Sequence, residues 1–187
     1  MTRIYEFQGK DILKKAGVPV PKGECAATVS EARRIAETLG KPVVIKAQVW
    51  ATGRFKAGGI KFASTPDETE KAGLELIGGT IKGLPVTRVL IEEQLNISRE
   101  FYVGIIVNNS YKVKGPVLIF STVGGTGIEE VAATQPEKVA TLNVDYLAGV
   151  GPAEANQLLS TLFRDGDLSP ELLSELKEII CNLYRAF

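Results

Sequence analysis

The sequence predicts an α+β fold, and three observations support this class. The β-branched run Pro42–Val49 is typical of a strand. Thr28 and Glu31 have the spacing of a capping box, which predicts the start of a helix. Two apolar runs on either side of Asn108-Asn109 predict a hairpin. We expect helices and strands to alternate along the chain.

The first half of the chain predicts three helices. Apolar spacing along Glu6–Ala16 indicates a helix that ends at Gly17. The capping box opens a second helix, which runs to about Leu39. Thr65, followed by a proline, predicts a third helix to about Ile77. Strands are expected at Pro42–Val49, Gly59–Ala63 and Val86–Glu92.

The second half begins with a predicted hairpin of Phe101–Val107 and Tyr111–Ser121, with its turn at Asn108-Asn109. A Gly-rich loop follows, and we expect the remainder to be largely helical. Its two longer helices are predicted at Ala153–Phe163 and at Pro170–Phe187, where Ser169 is the N-cap.

Composition excludes several functions. Lys and Arg number 22 and Asp and Glu also number 22, so no charge excess indicates a nucleic-acid or anionic-membrane partner. No apolar run has the length of a membrane span, and no signal peptide is recognised, so we expect a cytoplasmic protein. Cys25 and Cys181 are expected to be free thiols. The chain has no histidine, which excludes Ser–His and Cys–His catalysis by its own residues.

A Gly-rich basic loop is the strongest functional signal. Lys46 ends the valine-rich strand, and Gly53, Arg54, Lys56, Gly58 and Gly59 follow. Such a unit suits a polyphosphate, because glycines let backbone amides approach closely while Lys and Arg neutralise charge. It is not a P-loop, because no helix follows the glycines. The alternative is a lysine at the sheet edge beside solvated loop charges. Trp50, beside the loop, is expected in the core.

Carboxylates mark the next two strand ends. Glu92 and Glu93 end one strand and Glu100 opens the next. They are either solvent-facing termini or a hinge whose carboxylates accept hydrogen bonds from a ribose or pair with cations. The Gly-rich loop 121–127 is either a connection or a second site for phosphate or a partner's loop.

An ordered set of motifs runs through the chain: Glu6-Phe-Gln-Gly-Lys10, Val44–Val49, Gly53–Gly59, Leu90–Glu92, Arg99–Gly104 and Ser121–Gly125 with Ile128-Glu129 beyond it. Together these motifs resemble the amino-terminal ATP-grasp portion of the β subunit of ADP-forming acyl-CoA ligases, the succinyl-CoA synthetase family. The resemblance covers essentially the whole chain. It implies an ATP-grasp fold of two lobes that grip a nucleotide in the cleft between them. Residues 23–95 would form the smaller lobe, and residues 1–22 with 96–187 the larger one, incomplete at its C-terminus.

The resemblance also implies a phosphate site. Lys46 would bind the phosphates of ATP or ADP, with GTP as an alternative, and Gly53, Arg54 and Phe55 would close over them. The family commonly has glycine in place of Phe55 and histidine in place of Trp50. A bulkier loop would close differently or alter the nucleotide preference.

The base and ribose would lie near the hinge. By resemblance, Glu92 and Leu95 would line the adenine side, and Glu100 would hold the ribose hydroxyls. Val123 and Gly127 stand where the family has two acids. This departure puts in doubt whatever those carboxylates contribute, such as a contact with a partner's phosphohistidine loop.

The implied reaction joins a carboxylic acid to coenzyme A, coupled to nucleotide cleavage through a phosphohistidine on a separate α subunit, which also carries the CoA site. The family's Mg²⁺ ligands follow the segment that ends here at Phe187, so we expect neither a metal site nor a catalytic residue in this chain, and little activity from it alone. An excised domain is favoured over a naturally short form.

Two other functions stay open. A carboxylate–amine ligase of the ATP-grasp type would act through an acyl phosphate without an α subunit or CoA. A non-catalytic module for assembly or nucleotide sensing would fit the lost acids at Val123 and Gly127.

Overall fold

Helices and strands alternate along the chain, which confirms the α+β class. The computed structural model describes residues 3–110, 114–125 and 127–187. The helices are α1 (Glu6–Lys15), α2 (Val29–Leu39), α3 (Pro66–Leu76), α4 (Ile128–Thr134), α5 (Pro152–Ser160) and α6 (Pro170–Ala186), with a 3₁₀ turn at Pro136–Lys138. The strands are β1 (Gly23–Ala26), β2 (Val43–Ala47), β3 (Ile60–Ala63), β4 (Thr80–Ile81), β5 (Leu84–Pro85), β6 (Val89–Glu93), β7 (Tyr102–Asn109), β8 (Lys114–Ser121) and β9 (Val139–Asn143).

The chain divides into two compact units. The first comprises residues 3–14 and Val20–Asn96, and the second comprises Lys15–Pro19 with the described part of 97–187. Most of helix α1 therefore groups with the first unit. The expected lobes, 23–95 against 1–22 with 96–187, stay a prediction. In the described part of the chain, no helix has both the length and the apolar character needed to span a bilayer.

The first unit is built on an antiparallel sheet of order β1-β6-β2-β3. In its central pair, Lys46 lies opposite Leu90 and Val44 lies opposite Glu92. Alternate residues of β2 are buried in a core shared with α2 and α3, because successive side chains of a strand point to opposite faces. Lys46 and Glu92 therefore project together from the other face of the sheet.

Capping signals position the two helices of this unit as predicted. The backbone N–H of Glu31 donates to Thr28 Oγ1 at 3.2 Å, and Gly40 ends α2 in the left-handed conformation. Thr65 caps α3 in the same way through the N–H of Glu68. Each cap satisfies a helix-end donor that would otherwise lack a partner.

The second unit packs a three-stranded antiparallel sheet, order β7-β8-β9, with α5 and α6. Phe101, Phe120 and Phe163 form a ring cluster with centroids 5.7–6.1 Å apart. Ser169 caps α6 as predicted, since its side chain accepts from the N–H of Leu172. Cys25 and Cys181 are free thiols.

The predicted and the observed elements differ at three places. The region after the loop 121–127 is largely helical, as predicted, but it also contains strand β9, which pairs with β8. Strand β1 was not predicted, and it forms by pairing with β6. Asn108 and Asn109 are not the hairpin turn, because they pair with Gly115 and Lys114 as the last residues of β7. The predicted start of the second hairpin strand, residues 111–113, lies outside the described residues.

Candidate nucleotide-phosphate site

Five charged side chains meet on the face of the first unit's sheet that carries Lys46. Lys46 Nζ lies 2.7 Å from Glu92 Oε2 and 3.1 Å from Glu6 Oε1. Lys10 pairs with both carboxylates, at 3.3 Å from Glu6 and at closer range to Glu92. Arg54 Nη2 donates to Glu6 Oε2 at 2.5 Å, and its Nη1 donates to the carbonyl of Ala47 at 2.9 Å. We call these residues the ion cluster.

Each member of the ion cluster is placed by its own element. Lys46 and Glu92 are diagonal neighbours across β2 and β6, a separation that long side chains can span. Glu6 and Lys10 lie one turn apart on α1, so both face the strands. Arg54 comes from the Gly-rich loop and reaches back over the end of β2. Helix, sheet and loop therefore converge on Glu6.

Burial strengthens the pairing. The side chain of Glu92 is only 3% exposed, whereas those of Glu6, Lys10, Lys46 and Arg54 are each about a fifth exposed. Burial alone would raise the pKa of Glu6, but Lys46 and Arg54 outweigh it and lower this pKa from 4.5 to about 2. Burial likewise disfavours charged Lys46, yet Glu92 and Glu6 raise its pKa above the ordinary value. Both groups are charged near neutral pH.

Gln48 and a cation–π contact hold α1 in place. Gln48 is buried, accepts from the N–H of Phe7 at 3.2 Å, and donates to the carbonyl of Lys46 at 3.0 Å. The guanidinium carbon of Arg88 lies 5.7 Å from the ring centroid of Phe7. Helix α1 has no buried residue of its own, so these contacts and the ion cluster fix its position.

The Gly-rich loop forms a series of turns. The amides of Ala57, Gly58 and Gly59 donate within the loop, to Gly53, Phe55 and Arg54, at 3.3, 3.1 and 2.8 Å. Gly53 has a φ of 65°, which favours glycine. Lys82 Nζ donates to the carbonyl of Thr52 at 2.8 Å, so the loop is also fastened to the segment between β4 and β5.

Aromatic side chains at this loop are exposed, so the expectation that Trp50 lies in the core is wrong. Trp50 is 48% exposed and stacks on Tyr5, with ring centroids 4.8 Å apart. Phe55 is 64% exposed and makes a T-shaped contact with Phe62, with ring centroids 6.5 Å apart. Beside them lies an open cavity of about 640 Å³, lined by Arg3, Ile4, Glu6, Val49, Trp50, Ala51, Thr52 and Arg54.

The predicted hinge residues differ in environment. Glu92 is buried in the ion cluster, which excludes the solvent-facing alternative for this residue. Glu93 accepts from Lys41 Nζ at 2.8 Å and from the N–H of Lys22 at 2.9 Å. Leu95 follows β6 and is 52% exposed. Glu100 is exposed in the second unit, where a Cβ on Gly124 would come within 2.6 Å of the Glu100 Cβ, so only glycine fits there.

The structure thus brings Lys46, Arg54 and Glu92 together, and it places Gly53 and Phe55 in the adjoining loop. Sequence reasoning gave no role to Glu6, Lys10 or Gln48. The spacing of Glu6 and Lys10 was a usable signal, because oppositely charged residues four apart on a helix share a face. Nothing in the sequence indicated that this face meets Lys46.

Magnesium ligands were not expected in this chain. Among the described residues, no group of three or more Cys, Asp and Glu side chains is arranged to hold a metal ion. The carboxylates of Glu6 and Glu92 already accept from cations. The residues present therefore do not fit a Mg²⁺ site, and we assign no step to one.

Fold and site together define a class of protein. A profile of the ATP-grasp domain matches residues 3–187, and the chain belongs to this family. Its fold is similar to that of Ca. Korarchaeum cryptofilum ACD1 in complex with coenzyme A, with a TM-score of 0.74 at 20% identity over 97% of this chain and 78% of that one. The ATP-grasp fold inferred from the motifs is confirmed.

Curated relatives identify the ligase family that the chain resembles. The chain is 43% identical over 184 residues to the β subunit of succinate–CoA ligase [GDP-forming] from Thermus thermophilus, covering 98% of this chain and 47% of that protein. It is 44% identical, with the same coverage, to the β subunit of succinate–CoA ligase [ADP-forming] from Gemmatimonas aurantiaca. The chain therefore spans about half the length of the curated relatives it matches, and its resemblance to this ligase family is confirmed.

Proposed function

We propose that this chain is the nucleotide-binding ATP-grasp part of the β subunit of an acid–CoA ligase. The observation that carries the proposal is the ion cluster, in which Lys46 and Arg54 both pair with the carboxylate of Glu6 at the edge of the Gly-rich loop 53–59. The cluster holds three cations and two carboxylates and so has a net charge of +1. A site of this kind favours a polyphosphate.

Lys46 and Arg54 bind the phosphates in this proposal, and the loop supplies backbone donors. Because the amides of Ala57, Gly58 and Gly59 donate within the loop, the phosphate-facing amides are those of residues 53–56. The exposed Phe55 then covers the bound phosphates from the solvent side. ATP and ADP are the proposed ligands, and GTP or GDP is an alternative, because the names of the relatives include both ADP-forming and GDP-forming ligases.

We assign the base and ribose to the hinge. Glu92 is a positioning residue for Lys46, since its carboxylate faces Lys46 and Lys10. The amides of Glu93 and Gln94 already donate to the carbonyls of Lys22 and Pro42. We propose that Leu95 and its backbone read the base and that Glu100 holds the ribose hydroxyls.

The reaction proposed for the whole protein is phosphoryl transfer between the nucleotide and a histidine on an α subunit, coupled to joining a carboxylic acid to coenzyme A. A chain without histidine needs such a partner for this route. The relatives, named as β subunits of succinate–CoA ligases, support both the partner and the substrates. We propose a cytoplasmic protein, and magnesium as a cofactor.

Calorimetric titration of the 187-residue chain with ADP and ATP tests the proposal. We expect Lys46→Ala to weaken binding at least tenfold, which is about 1.4 kcal/mol. Lys61→Ala is the matched control, because Lys61 lies on the adjoining strand and pairs with Glu75 outside the ion cluster. Circular dichroism verifies that both variants are folded. Equal affinity of wild type and Lys46→Ala would contradict the proposal.

The alternatives make different predictions for the complete protein with its partner. An acid–CoA ligase forms acyl-CoA, with nucleotide cleavage that depends on CoA and the α subunit. Amide formation without either would identify a carboxylate–amine ligase. Nucleotide binding without any ligation would identify a non-catalytic module.

A further inference from the structure

We propose that Glu6 is an internal competitor for nucleotide phosphate, occupying the anion position on Lys46 and Arg54 until a nucleotide displaces it. This inference rests on the proposed function and adds a residue that sets the affinity of the site. It assigns to helix α1 a part in the site that the motifs alone did not give it.

The contacts of Glu6 are those of a bound anion. Its two carboxylate oxygens are divided between two cations, with Oε1 3.1 Å from Lys46 Nζ and Oε2 2.5 Å from Arg54 Nη2. Bridging of a lysine and an arginine by two oxygens of one group is also how phosphate binds. Lys46 has three N–H donors, and two of them already point at carboxylates. One Lys46 donor remains, so a phosphate gains a second Lys46 donor, and the Arg54 donor that points at Glu6, by replacing the Glu6 carboxylate.

Glu6 rather than Glu92 is the carboxylate that leaves. Glu92 is 3% exposed, lies within a paired strand and is shared by Lys10 and Lys46. If Glu92 lost its pairing with Lys46, its buried charge would have one cation fewer, which is costly. Glu6 is a fifth exposed, is the first residue of α1 and lines the open cavity of about 640 Å³. The Glu6 side chain can rotate into this cavity, where solvent can hydrate its carboxylate.

Displacement of Glu6 also has a built-in reporter. Tyr5 precedes Glu6 and stacks on Trp50, the single tryptophan of the chain. If the first turn of α1 moves together with Glu6, this stack is disturbed. Nucleotide binding is therefore expected to change tryptophan fluorescence.

Competition by Glu6 predicts that its removal tightens binding. Replacing the carboxylate by an amide removes a negative charge from the place the phosphate must enter, and it leaves Lys46 and Arg54 with fewer anionic partners. We expect Glu6→Gln to lower the Kd for ADP by about three- to tenfold. Glu75→Gln is the matched control, since it removes the same charge from an exposed pair with Lys61 in the same unit.

Calorimetry and Trp50 fluorescence of the full chain, with ADP as the probe, test the inference on wild type, Glu6→Gln, Glu6→Ala, Glu75→Gln and Lys46→Ala. Tighter binding by both Glu6 variants but not by Glu75→Gln supports it. As a second measurement, carboxyl NMR should show the Glu6 pKa rising when ADP is added to wild type, because Glu6 then loses Lys46 and Arg54.

Two outcomes separate this inference from the proposed function. If wild type binds ADP, Lys46→Ala does not, and the Glu6 variants bind with equal or weaker affinity, Glu6 supports the site and the competition is refuted while the proposed function stands. If neither wild type nor the Glu6 variants bind ADP, the proposed function fails and this inference with it.

Discussion

Replacing Lys46 with methionine should destabilise the first unit, because Glu92 then loses one of its two cations in a site that is 3% exposed. Breaking a buried pair by removing one partner costs roughly 3–5 kcal/mol. Lys46 is about a fifth exposed and Lys10 remains beside Glu92, so we expect a smaller loss of about 2 kcal/mol. Methionine retains an apolar stem, so the loss reports on the charge.

Urea unfolding monitored by Trp50 fluorescence reports the stability of the first unit, because Trp50 stacks on Tyr5 within that unit. The double variant Lys46→Met/Glu92→Gln completes a thermodynamic cycle. It should be more stable than the sum of the single losses predicts, by about 1 kcal/mol or more. Lys61→Met serves as a control, since its exposed pair with Glu75 is worth at most about 1 kcal/mol.

A Lys46→Met loss no larger than that of Lys61→Met would refute the reasoning. Strict additivity of Lys46 and Glu92 in the cycle would do the same, because residues that form a pair cannot act independently.

Three further predictions concern the stability of the chain. The pKa of Glu6 is lowered from 4.5 to about 2, so the stabilisation by Glu6 is complete above pH 4.5 and is lost as the pH falls towards 2. After allowance for solvent screening, we expect this stabilisation to be about 1–2 kcal/mol. Glu6→Gln should therefore reduce the pH dependence of the free energy of urea unfolding in this window, and an unchanged pH profile would contradict the pairing. Gly124→Ala should destabilise the chain by about 1–3 kcal/mol, because the added Cβ would lie 2.6 Å from the Glu100 Cβ. Thermal unfolding measures this loss, and an unchanged stability would show that the loop relaxes freely. Thr28→Ala should cost about 1 kcal/mol by losing the α2 cap, with Thr28→Asp as the near-neutral comparison in the same unfolding assay.

Local signals predicted the elements that local chemistry determines. The capping box at Thr28, the cap at Thr65 and the valine-rich strand β2 were all predicted, since each depends on neighbours in sequence. Strand β1 was missed because its four residues, Gly23–Ala26, show no apolar alternation and become a strand by pairing with β6. Strand β9 was missed for the same reason, because its ladder partner is β8.

The candidate site likewise contains residues that the local sequence indicated and residues that it did not. Lys46 and Arg54 were predicted from charge and glycine content within one short segment. The pairing of Glu92 with Lys10 was not predictable from nearby sequence, because Lys10 lies 82 positions away on another element. Sequence left Glu92 open between a solvated terminus and a hinge carboxylate, and its 3% exposure decides against the first. Gln48 was overlooked, since a polar residue after a strand gives no indication of burial.

The pairing of β2 with β6 has a consequence for how the chain folds. Val43, Ile45 and Ala47 enter the core while Lys46 joins the ion cluster on the opposite face. A slip of one residue would turn lysine into the apolar interior and expose isoleucine, and it would also separate Lys46 from Glu92. The misaligned sheet is thus destabilised on both faces: lysine is desolvated in the core on one face, and the ion pair with Glu92 is lost on the other. We expect misregistered intermediates of this sheet to be short-lived, with the electrostatic contacts acting as a check on alignment during assembly.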